Sequence, residues 1–169
     1  MSIRKDMLSD DIDTILQAMD RLESELRKKM DRSDLLDILK ELCASGDEEV
    51  VRKATWCVAK MGQNKVNDVG ILILLSGMAG NADPQVRENV AWGIGEAAGT
   101  IEMADDELDA ISLLLDDAEH DVRGMAAWAA GRLYHKCGIL SEDFENKLNR
   151  LLNDPSEYVR AAAKFALDG

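Results

Sequence analysis

The chain has 169 residues, 33 of them acidic and 20 basic, for a net charge of −13, and 46% are hydrophobic. That length suits one domain or one short array of repeats around a real core, and the apolar fraction excludes a disordered chain. With no basic cluster to offset the charge, nucleic acid and anionic membrane surfaces are excluded as expected partners, because phosphate affinity rests on Lys and Arg.

Met1 to Asp6 is not followed by an apolar leader, and the longest aliphatic stretch, Val69 to Leu75, falls short of the roughly 20 residues of a spanning helix. Cys43, Cys57 and Cys137 are odd in number and contain no C-x-x-C pair. Both features predict a cytoplasmic protein.

The first predicted element is a helix over residues 9–30. Ile12, Ile15, Met19, Leu22 and Leu26 recur at alternating spacings of three and four and form an apolar seam. Residues 1–32 are therefore expected to be an amino-terminal arm and a cap over the open end of a repeat array. A coiled-coil dimer seam is the other reading of the same pattern.

From residue 33 onward one unit recurs four times. Val50-Val51-Arg52-Lys53-Ala54-Thr55-Trp56 aligns with Val86-Arg87-Glu88-Asn89-Val90-Ala91-Trp92. The next copies are Val122-Arg123-Gly124-Met125-Ala126-Ala127-Trp128 and Val159-Arg160-Ala161-Ala162-Ala163-Lys164-Phe165. The leading valines stand 36, 36 and 37 residues apart. A second periodic segment precedes each valine, marked by Leu39 and Leu42, Leu75 and Met78, Ile111 and Leu114, and Leu148 and Leu151. Each copy thus reads as a helix pair, predicted at 34–45/47–62, 66–80/83–99, 104–117/119–137 and 141–153/155–168. The turns Asn81-Ala82-Asp83-Pro84 and Asn153-Asp154-Pro155 supply an Asp cap followed by Pro, a helix-start signal, since Asp accepts orphan N–H groups and Pro has none to lose.

The pattern D-P-x-V-R-x-x-(A/V)-A-W-x-(I/A)-G, best seen in Asn81 to Gly95, resembles HEAT repeats of the short phycobilisome-lyase-like type, a prokaryotic kind. The resemblance covers residues 33–169, as repeats 33–62, 66–99, 104–137 and 141–169. It implies an all-α fold, a right-handed α-α superhelix of four helix pairs plus the amino-terminal capping helix. In such arrays the second helices line the concave face. Copy one departs from the pattern, with Val51 at the usual Arg position and Arg52 after it.

A helix turns about 100° per residue. Counting each repeat valine as zero, positions 0, 4, 8 and 11 share one face and are apolar, as in Val86, Val90, Ile94 and Ala97, so they form the buried stripe. Position 7 holds the small residues Cys57, Gly93, Ala129 and Ala166, which let neighbouring helices approach. Position 6 lies off the stripe and holds Trp56, Trp92, Trp128 and Phe165. These aromatics are expected to form a ladder on the concave surface, with packing between repeats as the alternative. Lys53, Lys60, Glu88, Glu96 and Arg132 flank it, giving a groove that runs basic, acidic, basic and suits a mixed-charge peptide or helix. Arg87, Arg123 and Arg160 at position 1 are expected to form a structural Arg–Asp ladder, and the acidic run from Asp105 to Asp121 a solvated surface.

The first helix of repeat two is unusual. Gly70, Ile73, Leu74 and Gly77 occupy an outward ridge where the other repeats mostly carry charge. Close approach of another helix explains that composition, from a second subunit, a partner or the chain's own amino-terminal helix; a second molecule is the favoured reading, with a twofold homodimer as the simplest closed arrangement.

The sequence offers little chemistry. His120 and His135 are isolated, and no P-loop, dinucleotide fingerprint or nucleophilic triad is present. HEAT-type deoxyhypusine hydroxylases carry paired His-Glu iron ligands, but Gly95-Glu96 and His120-Asp121 depart from that motif. The expectation is a non-catalytic adaptor for a protein or peptide partner, with no cofactor and no metal. The alternative is a bilin-lyase-like or hydroxylase-like enzyme with a ligand in the groove.

Overall fold

The computed structural model describes residues 2–168, which contain ten α-helices and no strand. They are α1 (Ile3–Met7), α2 (Ile12–Arg27), α3 (Leu36–Leu42), α4 (Glu48–Gln63), α5 (Val69–Ser76), α6 (Pro84–Ala97), α7 (Asp105–Leu115), α8 (His120–Cys137), α9 (Glu142–Leu151) and α10 (Glu157–Leu167), with a 3₁₀ turn over Ser33–Leu35 leading into α3. The second helices α4, α6, α8 and α10 pack on one another in chain order, and the first helices α3, α5, α7 and α9 do the same in a second layer. The result is a superhelix of helix pairs. Among the described residues no helix is long and apolar enough to cross a membrane.

The core is the stripe between the layers: Val50, Val86, Val122 and Val159 are all buried, as are Ala54, Val90, Ala126 and Ala163 four residues on. Small residues set the spacing. A Cβ on Gly93 would lie 2.9 Å from the Cα of Ala59 on α4, so only glycine allows α6 to sit this close.

The helix expected over 9–30 is α2, shortened to Ile12–Arg27 because Ser9 to Asp11 turns the chain and the Asp11 carboxylate caps it through the Thr14 N–H, and the short α1 precedes that turn. Ile15, Ala18, Met19, Leu22 and Leu26 are buried, and α2 packs on α4. Four of the five seam residues are thereby used within the chain, with Ile12 at the helix start left 38% exposed, which removes the coiled-coil reading. The Asn64 side chain donates to the Leu26 carbonyl at 2.8 Å, and Arg4 on α1 reaches Asp37 on α3 at 2.5 Å.

The turn inside each repeat has one design. The residue five before the valine, Ser45, Asn81, Asp117 or Asp154, accepts the N–H of the residue two further on at 2.9–3.1 Å. In repeat four this changes the expected helix start. Asp154 makes the turn, Ser156 caps α10, and Pro155 lies in the turn instead of at the first helical position. In repeat two Asp83 caps α6 with Pro84 first in the helix.

The Arg–Asp ladder joins consecutive repeats. Arg87 bonds both oxygens of Asp117 at 2.7 and 3.0 Å, and Arg123 bonds both of Asp154 at 2.9 and 3.1 Å. Each arginine also donates to a carbonyl of its own turn. In copy one the arginine moves by one residue and its acid moves too: Arg52 pairs with Asp83 at 2.6 Å, because the turn position used elsewhere holds the neutral Asn81.

Candidate binding face

The outer side of α4, α6, α8 and α10 carries the aromatic register. Trp56, Trp92 and Trp128 are half-buried and Phe165 is 44% exposed. The rings of Trp56 and Trp92 meet at 6.0 Å between centroids, tilted by 36°. Trp128 lies over α6, where a Cβ on Gly95 would stand 2.5 Å from its ring. Phe165 meets His135 edge-on at 5.0 Å. The rings thus combine contact between repeats with an open side.

Sequence reasoning missed one member of this face. Tyr158, 45% exposed, precedes the valine of repeat four and stands seven residues before Phe165. Two helical turns put both on one side of α10, so the i, i+7 spacing was the available signal. The Tyr158 ring lies against Gly124, which has no room for a side chain. Trp92, Met125, Trp128, Tyr158, Ala161 and Phe165 are among the residues lining a pocket of about 480 Å³.

The polar flank is not the alternating groove that the sequence suggests. Its cations are engaged within the chain. Arg52 pairs with Asp83, Lys53 with Asp20 on α2 at 2.6 Å, and Lys60 with Gln63. Arg132 donates to the Gly95 carbonyl at 3.2 Å and lies 5.8 Å from the Trp128 ring centre. Arg27, from α2, covers Trp56 at 4.8 Å. Asn89, expected beside the ladder, is buried, and its amide donates to the Thr55 hydroxyl at 3.3 Å. Glu88 and Glu96 are half-buried. Burial pushes the Glu88 carboxyl above its usual value and Asp121 adds to that rise.

The acidic run of repeat three is partly structural. The buried Glu107 accepts the Ala104 N–H at 2.9 Å and starts α7, Asp116 pairs with Lys147 at 2.6 Å, and Asp117 belongs to the ladder. Asp105, Asp106 and Asp109 are exposed. Among the described residues no group of three or more His, Cys, Asp or Glu side chains is arranged to hold a metal.

On the first-helix layer, Ile73 is 63% exposed and Leu74 half-buried. The two glycines of this ridge have local explanations. A Cβ on Gly70 would stand 3.0 Å from the capping Asp68 carboxylate. Gly77 ends α5 as its C-cap, so it carries no mid-helix penalty. Ile73 and Leu113 on α7, 56% exposed, line one groove.

This geometry has close counterparts among solved structures. A designed armadillo repeat protein in complex with the peptide (KR)4 superposes with a TM-score of 0.77 at 23% identity, over 98% of this chain and 79% of that one. Computationally designed armadillo repeat proteins for modular peptide recognition give 0.78 at 22% identity, with the same coverages. The Pds5–Scc1 complex gives 0.68 at 16% identity over 95% of this chain and 27% of that one. At these identities the likeness concerns the fold. No curated protein matches the chain in sequence. A family model of HEAT repeats matches residues 71–168, more than half of the chain, and in repeats two to four the buried stripe, the small position-7 residues and the Arg–Asp ladder recur along that span. The chain belongs to the HEAT-repeat family.

Proposed function

We propose that this chain is a non-catalytic scaffold that binds a peptide or helix of a partner protein along the outer face of its second helices, the concave face of HEAT-like arrays. The carrying observation is the aromatic register: Trp56, Trp92, Trp128 and Phe165 hold one helical position in four successive repeats and keep part of each ring in solvent. Three of them are tryptophans, the residue type most enriched among binding hot spots. The peptide-bound designed armadillo protein and the Pds5–Scc1 complex share the fold, which supports a protein or peptide as the occupant. The net charge of −13 sets nucleic acid and anionic membranes aside as partners.

The test begins with the partner captured on the immobilised chain and identified by mass spectrometry. Trp92→Ala is then compared with wild type for binding and for thermal unfolding. Affinity should fall by about 2 kcal/mol, the scale of a hot spot, while the melting midpoint drops by only a few degrees. A large loss of stability with unchanged affinity would assign the ring to packing alone. The enzymatic alternative, bilin-lyase-like or hydroxylase-like, has a separate readout, since protein from its native host would then carry a coloured bilin or iron centre.

A second reading is favoured by the exposed aliphatic side chains of Ile73 and Leu113 in one groove. It is a homodimer through the first-helix layer.

A further inference from the structure

The Arg–Asp ladder ends on an unfilled rung. In its interior rungs the two sides of each guanidinium have different tasks. Nη1 donates to two carbonyls of the arginine's own turn, at 2.8 and 3.1 Å for Arg87 and at 2.9 and 3.0 Å for Arg123. Nε and Nη2 then fork onto the aspartate of the next repeat, Asp117 or Asp154. Arg160 keeps the first half of this arrangement unchanged, its Nη1 donating to the Asp154 and Pro155 carbonyls at 2.7 and 3.1 Å. Among the described residues no carboxylate bonds its Nε or Nη2. Asp154 is already held by both nitrogens of Arg123. The guanidinium of Arg160 is thus oriented for a carboxylate and does not have one.

The surface around it is not that of an interior repeat. Position 5 after the valine is buried in the first three copies, as Thr55, Ala91 and Ala127, and is the exposed Lys164 in the fourth. Position 9 is the buried Ala59, Gly95 and Gly131, and then the exposed Asp168. Inside the stack these small residues are required: a Cβ on Gly131 would stand 2.9 Å from the Cα of Ala166. The side chains of Lys164 and Asp168 therefore exclude a neighbour at the interior spacing. Apolar surface remains beside the cations. The residue seven before the valine is buried as Ala79 and Leu115 but 37% exposed as Leu152, and Leu167 is half-buried. Lys164 stands one helical turn from Arg160 and, among the described residues, forms no ion pair.

We propose that the end of the array formed by α9 and α10 is a second interaction surface, on which Arg160 receives a carboxylate side chain of a partner polypeptide through Nε and Nη2. This surface is separate from the aromatic face and does not depend on the reading of that face. The occupant must carry a carboxylate, because the free pair of donors has the planar fork geometry that Arg87 and Arg123 use on aspartates, and that fork matches two carboxylate oxygens. Lys164 adds a second positive charge on the same side of α10. Leu152 and Leu167 suit an acid that has an aliphatic neighbour, which is the composition of the chain's own turn, Leu152-Asn153-Asp154. Two of the bonds that fix the guanidinium are already made within the chain, so the partner does not have to order this side chain.

The test is an NMR titration of the full chain that follows the arginine Nε–H signals and the backbone amides of Leu152, Lys164 and Leu167. The probe is a peptide blocked at both ends that copies the turn Leu-Asn-Asp-Pro-Ser-Glu of residues 152–157, and its control carries asparagine for the aspartate. A chain of net charge −13 repels acidic peptides in general, so a preference for the aspartate peptide reports a local site. The aspartate peptide should bind roughly tenfold tighter than its control. It should shift the Arg160 signal and leave those of Arg87 and Arg123, whose forks are filled. Arg160→Gln should remove the difference between the peptides, and Arg160→Lys should keep only part of it, since ammonium has no fork. Lys28→Gln, the same charge change at the other end of the array, should leave it intact. Equal binding of the two peptides to the wild-type chain overturns the proposal, whatever the variants do to the fold. A shift of Arg160 by inorganic phosphate as large as that by the peptide, at matched ionic strength, reduces the site to an adventitious anion contact and overturns it too. Equal losses in Arg160→Gln and Lys28→Gln do the same. None of these outcomes bears on the rings, which Trp92→Ala tests.

Discussion

Single side chains in this fold do two tasks, and the ladder acids show it most clearly. Asp117 closes its own turn through the Glu119 N–H and clamps Arg87 of the previous repeat. Against burial, which pushes its carboxyl up, those hydrogen bonds hold Asp117 below the ordinary carboxylate value. For Asp154 the bond from Arg123 is the leading cause of a similar lowering. A carboxylate whose folded value is depressed contributes stability above its unfolded value of about 3.9, and that contribution disappears as pH falls through the folded value. Stability should therefore be level from neutral pH to about pH 5 and decline below about pH 4. Asp117→Asn should cost about 1.5–3 kcal/mol near neutrality, the range for hydrogen bonds to a charged group, and should flatten the acid limb. Urea titrations of both proteins across that pH range measure it, and an unchanged acid limb would remove Asp117 from the account.

Helices here are shorter than periodicity alone suggests, and α5 shows why. The pattern predicts a helix over 66–80, yet α5 runs only from Val69 to Ser76, between the Asp68 cap and Gly77. Two turns suffice to bury Ile71, Leu72 and Leu75 against the neighbouring layer. Its outer side keeps Val69 and Ile73 in water, and leaving such side chains uncovered forgoes roughly 1.5–3 kcal/mol each. If a second copy covers this side, light scattering at high micromolar concentration should report a dimer and Ile73→Asp a folded monomer. A wild-type monomer across the same concentrations would dispose of the dimer.

As a whole the molecule is a stack in which each pair touches mainly its neighbours, so stability should be graded along the chain. Helices α6 and α8 are packed on both sides by other second helices, and α4 lies between α2 and α6. Helix α10 has α8 on one side and exposes Arg160 and Lys164. Hydrogen exchange should be slowest in α4, α6 and α8 and faster in α9, α10 and α1. Uniform protection would mean that the array opens as one unit instead of fraying from an end.

The sequence by itself determined the helical class, the four-fold repeat, the buried stripe and the position of the ring register. Each of these depends on a local period of 3.6 residues or a repeat of about 36, which is legible in one dimension. What surrounds each side chain was not legible. Whether Lys53 faces a ligand or Asp20 and whether Arg27 covers Trp56 depend on residues 33 and 29 positions apart that stacking brings together. The same holds for Asn89, whose register placed it beside the ladder and whose partner Thr55, one repeat earlier, draws it into the interior. Charge along the chain therefore read as an alternating groove, and only tertiary packing, by pairing Arg52 and Lys53 with acids of the same chain, removed that alternation.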